Sequence, residues 1–328
     1  MAPFEVHLPT TAAEAVALRR DLPESMYVAG GTDLLVNLKH RLHAARHLVS
    51  LSAVEEMVGI EASGDGTLRI GAGTVLHRVA ESEVVREGVP ALAIAAGLVA
   101  GPQHRRMGTL GGNVMLDTRC LFYNQSASWR EALGFCLKKD GDWCHVINTA
   151  KRCVAAHSAD TVPVLIALDA VLEVAHPEDG PGEVRVEDLY VIDGRFEQNR
   201  TLDPRCLVVA IRIPPRKPGH RSTYRKVRAR RAVDFPQLGL AVVGAFSGDG
   251  ACTDLTAVVS AVLPKPQRLK RMEAAVGTHL EDDVIEEIAE QAFRQVHPQT
   301  SIHGDPAWRR QMARVEMRRA LQALRASA

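Results

Sequence analysis

Four of the six cysteines fall in residues 120–153, "CLFYNQSASWREALGFCLKKDGDWCHVINTAKRC". Their spacing, C-x15-C-x7-C-x8-C through Cys120, Cys136, Cys144 and Cys153, lacks the C-x2-C knuckle of a common zinc ribbon and the compact ferredoxin run. Four thiolates on one looped segment suit tetrahedral ligation of zinc or an iron–sulfur cluster. Arg119, Arg130, Lys138, Lys139, Lys151 and Arg152 stand beside them in sequence. Cations there favour the extra negative charge of a reduced cluster. Tyr123, Trp129 and Trp143 offer shielding from water. The bland alternative is a surface loop with incidental thiols, and the crowding argues against it. Cys206 and Cys252 sit in apolar strand patterns and read as core residues.

Two glycine loops carry the other chemistry: "AGGTDLL" at 29–35 and "GTLGGN" at 108–113. Glycines permit positive φ and let backbone N–H groups converge on an anion. Two such loops on separate units can clamp a pyrophosphate, with the Thr32 and Thr109 hydroxyls beside the glycines. Neither loop is a G-x-G-x-x-G fingerprint or a P-loop, which argues against a Rossmann nicotinamide domain and a P-loop NTPase. The competing reading is a pair of tight turns.

The elements that must position these residues are legible in outline. Thr11 and Glu14 form a capping-box pattern before an Ala/Leu helix. "SMYVAGG" reads as a strand, "TDLLVNLKHRLHAA" as a helix and "HLVSL" as a returning strand. Together they predict a small α/β unit over about 1–55. A second unit over 56–218 opens with "TLRIGAGTVLHRVAES", strand then helix. It passes through the helix "PALAIAAGLVA" and the cysteine segment at about 117–155. "SADTVPVLIALDAVLEVA" and "RCLVVAIRIP" complete it. "PPRKPGHRS" marks a boundary near 220. Beyond it, "AVVGAFSGDGACTDLTAVVSAVL" predicts a hairpin, and helices fill 219–328 to the basic "WRRQMARVEMRRALQALR". The expected fold class is α+β.

The 328 residues are 46% hydrophobic and 24% charged, with a net charge of +1. Nothing global points to nucleic acid or membranes, and no stretch approaches the roughly 20 apolar residues of a membrane span. No signal-peptide run opens the chain, so a cytoplasmic location is expected, where clustered thiols suggest metal or redox chemistry.

"AGGTDLL", "GTLGGN" and "SADTVPVLIALDA", with "YRKVRARRAVDFPQLGLAVV" and "DPAWRRQMARVEMRRAL", resemble the FAD-binding medium subunits of the molybdenum hydroxylases, the xanthine and carbon monoxide dehydrogenase family. The resemblance covers essentially the whole chain. It implies two N-terminal α/β subdomains of the VAO/PCMH type and a C-terminal antiparallel sheet with helices. It also implies that Tyr27, Val28, Ala29, Gly30, Gly31, Thr32, Asp33 and Leu34, with Thr109, Leu110, Gly111, Gly112 and Asn113, bind FAD. Backbone amides at Gly30, Gly31, Gly111 and Gly112 would do most of the holding. Val99 would pack near the flavin, Asp160 would contact the adenosine side, and Lys226 would approach the isoalloxazine. Asp33 and Asp160 could instead be helix N-caps. Arg105 and Arg106, beside the second loop, are compatible with FAD phosphates.

The cysteine insertion, led by "DTRCLFYNQS", is similar to that of 4-hydroxybenzoyl-CoA reductase β subunits, where four cysteines hold a 4Fe-4S cluster. By that resemblance the chain is an electron-transfer subunit with no catalytic residues of its own. It would pass electrons from a low-potential donor such as ferredoxin, through cluster and FAD, to a small 2Fe-2S subunit and a large molybdenum–pterin subunit. The assembly would be a dimer of heterotrimers that removes the phenolic hydroxyl of 4-hydroxybenzoyl-CoA. Two alternatives remain: a similar complex running oxidatively on another aromatic or acyl-CoA substrate, and a zinc-stabilised basic module using the run Arg216 to Arg231.

Overall fold

Short strands separated by helices open the chain, and they pair in parallel as crossover connections require. In this computed structural model, which describes residues 2–196 and 198–327, β1 (Glu5–His7), β2 (Ser25–Val28) and β3 (His47–Ser50) form a sheet of order β1-β3-β2. The helix Ala12–Asp21 starts at the predicted cap, where Glu14 N–H donates to Thr11 Oγ1, but the Glu14 carboxylate accepts from Thr10 N–H, one residue before the N-cap of the expected capping box. The helix expected over "TDLLVNLKHRLHAA" is shorter, Leu34–Lys39. Arg41 adopts φ 55°, and Leu42 N–H donates back to the Asn37 carbonyl. This left-handed cap ends the helix before the apolar pattern does.

The second unit is antiparallel. β4 (Ile60–Ala62), β5 (Leu68–Gly71), β6 (Val171–His176), β7 (Gly180–Arg185) and β8 (Leu207–Ile213) lie in the order β4-β5-β8-β6-β7. The helices Pro90–Leu98 and Thr161–Ala167 share a hydrophobic core with them, and the latter is buried along its whole length. The cysteine segment leaves from this unit between the short glycine-bearing helix Leu110–Val114 and Thr161. Its only described helix is Ala127–Ala132. Backbone contacts fix its ends, with Arg119 and Ala156 exchanging hydrogen bonds and Gly194 N–H donating to the Cys153 carbonyl.

The third sheet, β9 (Arg221–Val227), β10 (Leu238–Phe246), β11 (Cys252–Ser260) and β12 (Gln267–Arg268), has the order β12-β11-β10-β9. The expected hairpin is β10–β11. Its near-continuous apolar run follows from burial on both faces. Leu238, Leu240 and Val242 join a core with the helices Asp282–Gln295 and Pro306–Ala326, while Ala241 and Val258 join the core of the second unit. The terminal helix puts Ala313, Met317, Ala320, Leu321 and Leu324 inward, a helical repeat. Its arginines 314 and 318 clasp Glu286 from the outer side. Among the described residues no helix is long and apolar enough to cross a membrane.

Candidate functional site

A cavity of about 470 Å³ collects residues from all three sheets' surroundings, a size ordinary for a cofactor site. A larger depression of about 800 Å³ lies between the helix Ala12–Asp21 and the β6–β7 hairpin, away from both glycine loops. Of the residues singled out in the sequence, 27–34, Val99, Thr109, Gly111, Gly112, Asn113 and Asp160 line the smaller cavity. Leu110 and Lys226 do not.

The first loop follows β2 directly. A Cβ on Gly30 would stand 1.9 Å from the Met107 carbonyl oxygen, and Gly31 takes φ +68°. Glycine is therefore demanded at both positions. The amides of Gly30, Gly31 and Thr32 have no acceptor among the described residues. The second loop is built differently. Gly111 N–H donates to the Ala72 carbonyl (2.8 Å) and Gly112 N–H to Thr109 Oγ1 (3.1 Å). A Cβ on Gly111 would meet Ala72 Cβ at 2.7 Å. Gly111 thus serves close packing against the end of β5, and both glycine amides are already engaged. Among the glycines of the two stretches, the free donors belong to the first. Asn113 Oδ1 accepts from Thr161 N–H (3.2 Å) and Thr161 Oγ1–H (2.6 Å), which fixes the amide side chain at the cavity wall.

Asp33 and Asp160 occupy helix N-cap positions, yet neither side chain makes the capping bond. Asp33 accepts from Asn37 Nδ2 (3.0 Å) and from the Arg119 guanidinium. Asp160 accepts from Lys226 Nζ (2.8 Å) and from Tyr224 O–H (2.7 Å), and Lys226 also donates to the Leu98 carbonyl (2.9 Å). Burial pushes the Asp160 carboxyl up and the Lys226 ammonium down; their contact opposes both shifts. The lysine, which the resemblance placed toward the isoalloxazine, is in this structure a buried strut between the second unit and β9. Arg105 likewise donates to the Val99 carbonyl (2.8 Å) and stays off the cavity wall.

Sequence reasoning missed several lining residues. His43, Phe196 and Phe235 reach the cavity from separate loops, and nothing in their local pattern marks them. Burial pushes the His43 imidazole down to about 4, so it stands neutral at pH 7. Val233 has φ 52° and Ala100 φ 42°, and Val233 N–H donates to the Ala100 carbonyl (3.1 Å). Positive φ at a β-branched residue is costly and marks functional loops. Arg119, read as a cation beside the cysteines, lies on the cavity wall with its guanidinium 4.7 Å from the Phe235 ring centroid.

All four clustered cysteines are buried and none is in a disulfide. Burial pushes Cys120 up to about 11, with the neighbouring Cys136 and Cys144 adding to the shift. Burial pushes Cys153 up to about 12, with Cys120 and Cys136 adding to it. The thiols therefore stand near one another. Among the described residues, though, no three of their sulfurs lie mutually within 4.8 Å. Tetrahedral zinc with Zn–S near 2.3 Å needs sulfur–sulfur edges of about 3.8 Å. A cubane cluster, ligated at its corners, holds thiolates farther apart. Lys138 Nζ lies 4.5 Å from the Tyr123 ring centroid and bonds Asp117 Oδ1 (2.9 Å) and the Gly194 carbonyl (2.6 Å). The basic run 216–231 is largely engaged inside the fold: Arg216 on the Gly66 carbonyl, Arg221 on the Leu324 carbonyl, Arg225 on Glu316.

A glycine loop with free amides, a tightly packed second glycine stretch and a cleft that reaches the C-terminal sheet suit a ligand with a phosphate and an extended body, as a dinucleotide has. Residues 2–216 match the family model "FAD binding domain in molybdopterin dehydrogenase", and residues 222–324 match "CO dehydrogenase flavoprotein C-terminal domain". The chain thus belongs to the FAD-binding medium subunits of the molybdenum hydroxylase family. It is 30% identical to the aldehyde oxidoreductase FAD-binding subunit of Escherichia coli (strain K12), over 84% of this chain and 87% of that one. It is 29% identical to the carbon monoxide dehydrogenase medium chain of Afipia carboxidovorans, over 99% and 98%. The solved carbon monoxide dehydrogenase from Hydrogenophaga pseudoflava superposes with a TM-score of 0.80 at 26% identity, over 99% of this chain and 98% of that one.

Proposed function

We propose that this FAD-binding subunit also carries a 4Fe-4S cluster on Cys120, Cys136, Cys144 and Cys153, and serves a complex that reductively dehydroxylates 4-hydroxybenzoyl-CoA to benzoyl-CoA. The observation that carries the reading is the adjacency of two features. Four buried thiols gather on one segment, and its first cysteine follows Arg119, which lines the dinucleotide cavity. A cluster held there lies one residue along the chain from the cavity wall. FAD supplies one- and two-electron redox chemistry when bound. The chain's own residues bind, orient and insulate: the amides of Gly30, Gly31 and Thr32 hold phosphate, Asn113 and Thr109 shape the second wall, and Val99 and Phe235 exclude water. Asp33 fixes Arg119 at the rim, and Asp160 with Lys226 supports the turn at Val99. Lys138 places a buried positive charge beside the thiolates.

In this reading the substrate site is on a large molybdenum–pterin partner, a small 2Fe-2S subunit lies between, and ferredoxin or a similar donor feeds the cluster. The wording "medium chain" for one relative is consistent with smaller and larger companions. Anaerobic metal and flavin analysis, with EPR after dithionite reduction, tests the proposal. The expected result is about four irons and one FAD per chain, with a reduced-cluster signal lost in Cys136→Ala. Zinc without iron would leave an ordinary flavoprotein subunit. A second reading, an oxidatively running hydroxylase, draws on relatives that are described as dehydrogenases. Reduction of the assembled complex by substrate, with none by reduced ferredoxin, would favour it.

A further inference from the structure

We propose that Glu5, His7 and His47 form a zinc site on the edge of the N-terminal sheet. It is separate from the cysteines and the cavity and does not depend on the proposed function. Residues two apart on a strand share a face, so Glu5 and His7 of β1 point the same way. The parallel register sets Glu5 opposite His47 of β3, which brings the third side chain to that face. His7 Nε2 stands 3.2 Å from His47 Nδ1, and Glu5 Oε2 stands 3.4 Å from the same nitrogen. All three ligand atoms lie within 4.8 Å of one another. Tetrahedral zinc with ligands at about 2.0–2.1 Å has ligand–ligand edges of about 3.3–3.4 Å. The two measured separations therefore have the size of zinc edges, and imidazole with carboxylate is a zinc donor set.

The surroundings leave the donors available. Arg46, next to His47, pairs with Glu24 at 2.8 Å and not with Glu5. Among the described residues, His47 is the only ion-pair partner of Glu5. Glu5 is 74% exposed at its side chain and His47 22%, so an ion has access from solvent. Three protein ligands leave a fourth position open to water. Bound there, the ion clips the three-residue edge strand β1 to the central strand β3, and metal that binds only the folded chain stabilises it.

The test is equilibrium dialysis of the purified chain against Zn2+, with X-ray absorption at the zinc edge and thermal melts with and without metal. The expected result is one retained zinc with a nitrogen/oxygen shell at about 2.0–2.1 Å, outer-shell imidazole scattering and a raised Tm. His47→Gln weakens binding by at least about tenfold, the loss that even an outer-shell partner costs, and abolishes the rise in Tm. Glu5→Gln, on an exposed side chain with little bearing on folding, also weakens binding, so the proposal stays falsifiable should His47→Gln misfold. A sulfur shell at about 2.3 Å would assign the zinc to the cysteines. That outcome, unchanged affinity in Glu5→Gln, or no retained zinc overturns the proposal.

Discussion

Single atoms decide what the cavity can hold. The Gly30 hydrogen faces the Met107 carbonyl, and a methyl there would overlap it at 1.9 Å, so Gly30→Ala must displace the loop that carries the free amides. The expected outcome is a folded chain whose FAD affinity falls by about tenfold or more, the order of one or two lost charge-assisted bonds. Flavin absorbance per protein after gel filtration reads it, and full flavin content would sink the assignment of that loop. His157 makes a different point. It is 1% exposed, and its ring packs edge-on against Tyr190, the centroids 4.5 Å apart. Burial, with Arg200 adding to it, pushes its imidazole down to about 3. The unfolded chain binds that proton near pH 6.5 and the folded chain does not. The stability it contributes is therefore complete above pH 6.5 and is lost as the pH falls from there toward 3. Between pH 7 and 5 the wild type should lose about 2 kcal/mol that His157→Phe keeps. Urea midpoints at the two pH values measure the difference.

At the scale of elements, legibility followed periodicity. The β10–β11 hairpin, the helix Pro90–Leu98 and the terminal helix stood out because long apolar repeats admit one structure. The helix after the first glycine loop was overread, because Arg41 enters the left-handed region, which its residue type does not announce. The first glycine stretch was legible as a loop, but the second, read as a loop, is the short helix Leu110–Val114 capped by Thr109, and their division of labour was not legible. Ala72, which takes up the Gly111 amide, lies 39 positions upstream of it. The crowding of the four thiols was legible, yet the anchoring of their segment was not. Lys138, read as one of several nearby cations, has a side chain only 1% exposed and pairs with Asp117 at 2.9 Å. Burial alone would raise the Asp117 carboxyl, but the Lys138 ammonium and weaker neighbours, Arg200 first, together outweigh it and the net shift is downward. Removing the cation by Lys138→Met strands a buried carboxylate, which costs about 3–5 kcal/mol. The double variant Asp117→Asn/Lys138→Met should recover most of it. Chemical denaturation of the four proteins in the cycle decides this, and additive losses would deny the pairing.

Across the whole molecule, the cavity joins units that the chain keeps apart. Its first loop belongs to the N-terminal sheet and its second to the five-stranded sheet, while Val233 to Phe235 come from the C-terminal domain. The last two are also tied by the Asp160–Lys226 pair at the cavity wall and by two backbone bonds, His157 N–H donating to the Leu263 carbonyl and Ala261 N–H to the His157 carbonyl. Arg268 adds contacts to Asp169 and Glu187. A ligand that binds only the assembled cleft stabilises every part that lines it, by about 2.7 kcal/mol at a hundredfold excess over Kd. Adding FAD to the flavin-free chain should therefore raise one shared calorimetric transition. In Lys226→Met, Asp160 is left buried without its cation, and the C-terminal domain loses its strut. Its transition should then separate and move down, while the transition of residues 2–216 keeps part of the FAD-dependent rise through the two glycine loops. Asp160→Asn/Lys226→Met, with neither charge, should rejoin the transitions. If Lys226→Met still melts as one unit with the full FAD response, the coupling runs through the backbone bonds at His157, and the buried pair is a local feature of the turn at Val99.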